Sequence, residues 1–299
     1  MIRLDDTSGG AVAAAIAQER HRNGSPATGM VLNLLILSDE EFQADATSGA
    51  VAAARQHPMR IVTLIPRPGR HDARLDAEIA VGGDDGPGEV AVLRLRGPLA
   101  EHANSVAIPL LLSDTPVVAY WPEGGPDVPA DDPIGRHAQR RITDASTGED
   151  PYRELARRKA GYRPGDTDLS WTRLTPWRSA LASALDQFRP TLTGGTVHAD
   201  EGNPSAVLLR SWLAQCLRVP VALETSGGPG ITEVRLCSSD GDIVVGRPEG
   251  DTATLCRPGV ADARIALARR ELSGLLAEEL RRLDPDEVYG SVLSHLELP

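Results

Sequence analysis

The sequence predicts an α/β protein in two parts. An N-terminal doubly wound, Rossmann-like mixed sheet is expected in residues 1–165, and a C-terminal α+β domain with antiparallel strands in residues 166–299. First, the apolar runs Met30–Leu37 and Arg60–Ile65 flank a helical stretch, as parallel strands buried on both faces do. Second, four short β-rich runs with turn residues between them lie between Val221 and Cys256. Third, a length of 299 residues exceeds that of most single domains.

The two apolar runs and the helix between them predict a βαβ unit. Met30–Leu37 is continuously apolar and short, which is typical of a buried strand. The helix is expected at Thr47–His57, with Thr47 or Ser48 as its N-cap. The second strand is expected at Arg60–Ile65, stopped by the proline that follows it. Such a crossover is almost always right-handed.

The rest of the first half predicts additions to this sheet. Ala77–Val81 and Glu89–Arg96 are β-rich and separated only by the glycine-rich loop Gly82–Gly88, so an antiparallel pair is expected. Gly97 and Pro98 are expected to open a helix, because proline suits the first helical position. The helix is expected to reach Leu112 unless Pro109 shortens or kinks it. Val117–Trp121 is a further strand.

The second half alternates helical and β-rich patterns. Thr175 and Pro176 form a helix start, and the apolar face of that helix extends to Phe188. The last helix is expected to take Asp284 as its cap, with Glu287 completing a capping box. Successive antiparallel strands are expected at Val221–Glu224, Ile231–Cys237, Ile243–Arg247 and Thr252–Cys256, and further helices at Ala11–Arg20, Pro151–Lys159, Ser205–Leu217 and Leu272–Leu283.

Composition excludes several classes of function. A formal net charge of −11 does not suit a protein that binds nucleic acid or an anionic membrane. Lys159 is the only lysine, so a phosphate loop ending in Gly-Lys-Ser/Thr is excluded. No apolar stretch is long enough to cross a membrane, and no signal peptide is predicted. Three widely spaced cysteines are typical of reduced thiols in a cytoplasmic protein.

No local enzyme signature is present. The sequence contains no G-x-S-x-G, H-E-x-x-H or C-x-x-C motif, and no G-x-G-x-x-G joins a strand to a helix. The glycines between Gly227 and Gly230 lie between β-rich runs and indicate a turn. No cofactor or metal site is therefore predicted. The missing motifs lower the odds of an enzyme, but they do not exclude an active site built from residues far apart in the sequence.

Arginines near the middle of the chain form a first candidate site. Arg136, Arg140 and Arg141 could bind a sugar phosphate or the acidic face of a partner protein. The favoured alternative is surface charge that balances the acidic residues at positions 149, 150 and 154.

The stretch DTDLSWTRLTPWR, Asp166–Arg178, is the second candidate site. Its tryptophans could be exposed interface anchors, but a structural role is favoured in a chain with only 3% aromatic residues. Local folding rules explain Thr175, Pro176 and Trp177. The residues that they leave unexplained are predicted to contact a partner: Asp166, Asp168, Trp171, Arg173 and Arg178.

Several blocks in sequence order carry a resemblance to a known family. They are VGGDDGPGEVAVLRLRGPLAEHANSVAIPLLLSDTPVVAYWP (Val81–Pro122), DPIGRHAQRRITDA (Asp132–Ala145), DTDLSWTRLTPWR (Asp166–Arg178), LARRE (Leu267–Glu271) and LAEELRRLDPDEVY (Leu276–Tyr289). With these blocks the chain resembles the OpcA family, the bacterial glucose-6-phosphate dehydrogenase assembly proteins, and most closely its actinobacterial branch. The resemblance implies a cytoplasmic, non-catalytic activator. It would bind glucose-6-phosphate dehydrogenase of the pentose phosphate pathway and favour the active oligomer of that enzyme.

The competing interpretation is a sugar-phosphate-binding or nucleotide-binding enzyme or sensor. A doubly wound sheet often binds ligands beyond the carboxyl ends of its strands, here after Leu37 and Ile65. A third class, a structural scaffold, would associate with the dehydrogenase without changing its kinetics.

Overall fold

The chain folds into two compact α/β units that share the sequence in alternating segments. The computed structural model describes residues 1–22, 29–69, 72–82, 88–186 and 190–299. The first unit contains residues 1–144, 165–167 and 271–285, and the second contains residues 145–164, 168–270 and 286–299. The predicted fold class is confirmed. The predicted domain boundary between residues 165 and 166 stays a prediction. The predicted loop residues 83–87 and Phe188 lie outside the described residues.

An eight-stranded mixed sheet forms the framework of the first unit in the described residues. Its spatial order is β1-β4-β5-β3-β2-β6-β7-β8. The strands from β5 through β7 are parallel, and β4 and β1 continue the sheet antiparallel at one side. The strands are β1 (Ile2–Leu4), β2 (Leu32–Leu37), β3 (Met59–Arg67), β4 (Arg74–Val81), β5 (Glu89–Arg96), β6 (Val117–Tyr120), β7 (Arg140–Thr143) and β8 (Asp166–Asp168).

A six-stranded sheet forms the framework of the second unit in the described residues, in the order β10-β9-β11-β12-β13-β14. The strands are β9 (Leu192–Ala199), β10 (Val221–Thr225), β11 (Ile231–Ser238), β12 (Ile243–Gly246), β13 (Thr252–Arg257) and β14 (Val260–Ala266). The helices of both units are α1 (Gly9–Arg22), α2 (Gln43–Ala53), α3 (Ala103–Ala107), α4 (Pro151–Gly161), α5 (Leu169–Thr172), α6 (Thr175–Asp186), α7 (Pro204–Leu217), α8 (Leu272–Arg281) and α9 (Glu287–Ser294). None of the described helices is both long and apolar enough to cross a membrane.

The predicted βαβ unit is confirmed, with two local corrections. Helix α2 begins at Gln43, so Thr47 lies inside the helix and does not cap it. The hydroxyl of Thr47 instead forms a hydrogen bond of 2.9 Å with the hydroxyl of Thr63. The start moves because the side chain of Asp39 accepts from the N–H of Glu41 at 2.9 Å and fixes the turn before the helix. Strand β3 also continues through Pro66, since its neighbour β2 has already ended opposite Leu64.

Two further predicted elements differ from the observed ones. The helix expected from Pro98 is split into a 3-10 turn at Gly97–His102, the short α3 and a 3-10 turn at Ile108–Leu110. Pro109 cannot donate the N–H that a continuous α-helix needs. The last helix is capped by Asp286, whose carboxylate accepts from Tyr289 N at 2.9 Å, and not by Asp284.

The second sheet confirms the four predicted strands but not their uniform direction. Strand β10 pairs parallel to β9, and α7 forms the crossover between them. The sequence did not indicate β9, because Gly194 and Gly195 lower its β-propensity. Gly195 is needed there, since an added Cβ would lie 3.0 Å from the carbonyl oxygen of Arg235.

Glu89 is the centre of a buried charge cluster in the first sheet. Its side chain is only 4% exposed and accepts from Arg20 Nε at 2.6 Å and from Arg60 Nε at 2.7 Å. Arg60 also donates to the carbonyl oxygen of Leu110. Removing the carboxylate would leave a buried guanidinium without its counter-charge.

We therefore expect Glu89→Ala to lower the free energy of unfolding by about 3 kcal/mol or more. The matched control is Glu78→Ala on the adjacent strand, where the carboxylate is 32% exposed and meets Arg94 at 3.0 Å. This variant should lower the free energy of unfolding by less than about 1 kcal/mol, because exposed ion pairs contribute little to stability. Urea unfolding followed by circular dichroism measures the stability of both variants. Equal losses would contradict the role of Glu89 as the centre of a buried charge cluster.

Candidate functional site

Arg141 and Asp166 form an internal ion pair of the first unit. Both residues are buried, and Arg141 Nε donates to Asp166 Oδ1. Arg141 Nη1 also donates to the carbonyl oxygen of Ala138 at 2.8 Å. Gly165 permits this arrangement, because its φ is +97° and an added Cβ would lie 2.5 Å from the carbonyl oxygen of Gln139.

Arg140 is also an internal residue. Its guanidinium pairs with Glu279 of α8, and Nη1 donates to the carbonyl oxygen of Asp284 at 2.8 Å. The interpretation of Arg140 and Arg141 as surface charges is therefore wrong. Charged runs in a sequence do not reveal which arginines have a buried carboxylate partner. Arg136, in a 3-10 turn, is exposed.

Asp168 fixes the start of α5 in the second unit. Its carboxylate is completely buried, caps α5 by accepting from Ser170 N at 2.9 Å, and accepts from Ala145 N at 3.0 Å. Two backbone donors therefore depend on one side chain.

Trp171 is buried in the core of the second unit, so the alternative of an exposed interface anchor is wrong for this residue. The residue is 1% exposed, and its Nε1–H donates to Asp286 Oδ2 at 2.8 Å. Its ring lies 5.8 Å from that of Tyr289, and the guanidinium of Arg178 lies over it at 3.9 Å. These contacts join α5, α6 and α9 around one indole.

The eight predicted residues divide between the two units. Arg136, Arg140, Arg141 and Asp166 belong to the first unit, whereas Asp168, Trp171, Arg173 and Arg178 belong to the second. Five of the eight are buried: Arg140, Arg141, Asp166, Asp168 and Trp171. Arg136 is exposed, and Arg173 and Arg178 are half-buried. A partner-binding role for any of them stays a prediction.

The carboxyl edge of the first sheet carries acidic side chains where a doubly wound fold would hold a phosphate. The switch point lies between β2 and β6, because β3 is on the other side of β2. Across this point Asp39 N donates to Glu123 Oε1 at 2.7 Å. Burial raises the pKa of Glu123, and the charges of Asp39 and Glu41 add to the effect. Such an edge repels a phosphate group.

A cavity of about 120 Å³ in the second unit has the opposite character. Four arginines and no carboxylate line it, together with polar and apolar side chains at the starts of two helices. The lining residues are Arg173, Leu174, Pro176, Trp177, Asn203, Ser205, Gly230, Ile231, Arg247, Ala268, Arg269 and Arg270. We call it the arginine cavity. It brings together the blocks DTDLSWTRLTPWR and LARRE, which lie far apart in the sequence.

Arg247 is the most buried arginine of this cavity. It is 6% exposed, and its two terminal nitrogens donate to the carbonyl oxygens of Leu267 and Ile231 at 2.8 and 3.1 Å. Its Nε is buried without a hydrogen-bond partner among the described residues. Burial lowers the pKa of Arg247, and the charge of Arg269 lowers it further, against the opposing effect of Asp251. Sequence reasoning missed Arg247, which follows a strand as a single arginine without a motif.

The cysteines and the acidic residues give no sign of a metal or redox centre. Cys216, Cys237 and Cys256 are free thiols. Within the described ranges, no three His, Cys, Asp or Glu side chains are placed to share a metal ion.

Two domain families match the sequence in succession. Residues 50–160 match the family described as the N-terminal domain of a glucose-6-phosphate dehydrogenase subunit. Residues 164–293 match the family described as the C-terminal domain of the same kind of subunit. A comparison with curated proteins gives no match.

Solved structures give only distant similarity. A 3-ketoreductase from Actinomadura kijaniata has a TM-score of 0.48 at 11% identity, over 89% of this chain and 94% of that chain. An oxidoreductase domain protein from Kribbella flavida has a TM-score of 0.48 at 9% identity, over 88% of this chain and 94% of that chain. At these scores neither similarity bears on the function of this chain.

Because the helix cap at Asp168 is buried, its removal should lower the free energy of unfolding more than removal of an exposed cap does. We expect Asp168→Ala to lower the free energy of unfolding by about 2–3 kcal/mol, because two buried N–H groups lose their acceptor. The matched control is Asp150→Ala, since Asp150 caps α4 at an exposed position and should cost about 1 kcal/mol. Urea unfolding followed by tryptophan fluorescence compares the two. Equal losses would show that the burial of Asp168 adds nothing.

The raised pKa of Glu123 predicts a pH-dependent effect. Ionisation of this carboxyl costs folding free energy, so the cost is absent below the ordinary carboxyl pKa and complete above the raised pKa. Glu123→Gln keeps an oxygen that can accept from Asp39 N. We therefore expect the variant to be more stable than wild type at neutral pH, with the difference disappearing in acid. Thermal unfolding across this pH range measures it, with the exposed Glu101→Gln as control. A difference in stability between the variant and wild type that does not change with pH would contradict the raised pKa of Glu123.

Proposed function

Because the chain belongs to the OpcA family of glucose-6-phosphate dehydrogenase assembly proteins, we propose that it is a non-catalytic assembly factor for that enzyme. It binds glucose-6-phosphate dehydrogenase and favours its active oligomer in the oxidative pentose phosphate pathway. The observation that carries the proposal is the pair of domain matches over residues 50–160 and 164–293, both described as parts of a dehydrogenase subunit.

The mechanism needs binding energy and no chemical step. A protein that binds one oligomeric state of an enzyme more tightly than another shifts the equilibrium toward the first state. The size of the shift equals the difference between the two binding free energies. The acidic edge at Asp39 and Glu123 supports a non-catalytic role for the Rossmann-like sheet, because it disfavours the phosphates of a dinucleotide.

Among the eight residues predicted to contact a partner, Arg136 is the best candidate for a direct contact. It is exposed on a turn that Asp132 stabilises, since Asp132 Oδ1 accepts from Ile134 N at 2.8 Å. The five buried residues act on this function indirectly, by keeping the units folded. Free thiols are consistent with the cytoplasm, which we propose as the location.

The test combines purified glucose-6-phosphate dehydrogenase with this protein. We expect the wild-type protein to raise the activity of the enzyme and to increase the population of its larger oligomer, measured by a coupled NADP-reduction assay and by analytical ultracentrifugation. A complex that forms without any kinetic change would replace activation with a scaffold role. If no complex forms at micromolar concentrations, the proposal fails.

The variant Arg136→Glu tests the contact. Reversing the charge should weaken association about fivefold to tenfold, which corresponds to about 1–1.4 kcal/mol, and reduce its salt dependence. The matched control is Arg55→Glu, because Arg55 is an exposed arginine of the same unit outside the predicted site. Equal association of the two variants would remove Arg136 from the interface while leaving the proposed function intact.

A further inference from the structure

We propose that the arginine cavity of the second unit binds the phosphate group of a small ligand, either free phosphate or a phosphate monoester. The inference goes beyond the assembly role and does not rest on it. The site consists of Arg173, Arg247, Arg269 and Arg270 with the first residues of α6 and α7.

The first argument is the concentration of positive charge. In a chain with a net charge of −11, four arginines converge on one cavity whose lining contains no carboxylate. Arg269 is exposed and has no ion pair or hydrogen bond within the part of the chain that the structure describes. The neighbouring carboxylate of Asp200 is occupied, since it accepts from Gly230 N at 3.0 Å and from Asn203 Nδ2 at 2.7 Å.

The second argument is the buried guanidinium of Arg247. Two backbone carbonyl oxygens orient it, but no carboxylate among the described residues pairs with it, and its Nε is buried there without an acceptor. An unsatisfied buried donor of a charged group is costly. The positive charge of Arg269 adds to that cost, as the lowered pKa of Arg247 reflects. An anion in the cavity would offset the repulsion between these two positive charges.

The third argument is the position of the helix ends. Pro176 and Trp177 lie in the first turn of α6, and Ser205 lies in the first turn of α7 after the cap Asn203, so two helix N-termini border the same space. The partial positive charge of a helix N-terminus favours an anion. These ends add to a site that the arginines already define.

The chemistry of the lining favours phosphate over a single carboxylate. A phosphate monoester carries about −1.5 to −2 charge near pH 7 and three acceptor oxygens, which suits several guanidinium groups. The volume of about 120 Å³ is several times what one water molecule requires. Leu174, Pro176 and Ile231 supply apolar surface to the lining, which suits the carbon part of a small ester.

The test measures binding to this protein alone, without the dehydrogenase, so its failure and that of the assembly role are distinguishable. Isothermal titration at constant ionic strength compares inorganic phosphate, glucose 6-phosphate and glucose. We expect phosphate or its ester to bind at millimolar or lower concentration and glucose not to bind. Tighter binding of glucose 6-phosphate would identify an ester as the ligand class, and equal or weaker binding would identify the free anion.

The variant Arg269→Ala should weaken phosphate binding at least tenfold without loss of folding, because Arg269 is exposed and makes no hydrogen bond or ion pair among the described residues. The matched control, Arg264→Ala, removes an exposed arginine of β14 that does not line the cavity, and should bind like wild type. Arg247→Met should abolish binding, and circular dichroism would show whether it folds. Absence of binding by wild type, or equal losses in the Arg269 and Arg264 variants, would overturn the proposal.

Discussion

The second unit depends on the burial of one indole. Trp171 donates a hydrogen bond to the same carboxylate, Asp286, that caps α9, and it packs against Tyr289 of that helix. Arg178 of α6 lies over its ring. In a chain with 3% aromatic residues, few other side chains can connect three helices at once. A smaller apolar residue would lose both the area and the hydrogen bond.

Buried ion pairs recur in the interior of the first unit. Arg60 with Glu89, Arg140 with Glu279 and Arg141 with Asp166 each place a guanidinium and a carboxylate in the interior. Arginine suits this role because its planar fork donates several hydrogen bonds in a fixed geometry. Since the desolvation of both charges is costly, such a pair adds little net stability, whereas removal of one partner is strongly destabilising.

The Rossmann-like sheet of this protein carries acidic side chains at the usual ligand position of such a fold. Doubly wound sheets bind phosphates at the switch point through glycine-rich turns and helix N-termini. Here Asp39 and Glu123 bridge that point. The positive field lies instead in the second unit, around Arg247 and Arg269. The fold alone would predict a ligand site at the switch point of the first sheet. The charges of the side chains favour the arginine cavity of the second unit instead.

The sequence by itself determined the fold class, because hydrophobic periodicity and turn residues act locally. The buried run in β2, the helix start at Thr175 and the hairpin-like strands from β11 to β13 all follow from patterns within a few residues. It also determined the family, through blocks distributed along the chain. Only the tertiary structure decided which arginines are internal. Arg140 meets Glu279 and Arg247 meets Leu267 across long stretches of sequence, and no local pattern encodes such contacts. The direction of β10 was decided in the same way, since strand pairing depends on a distant neighbour.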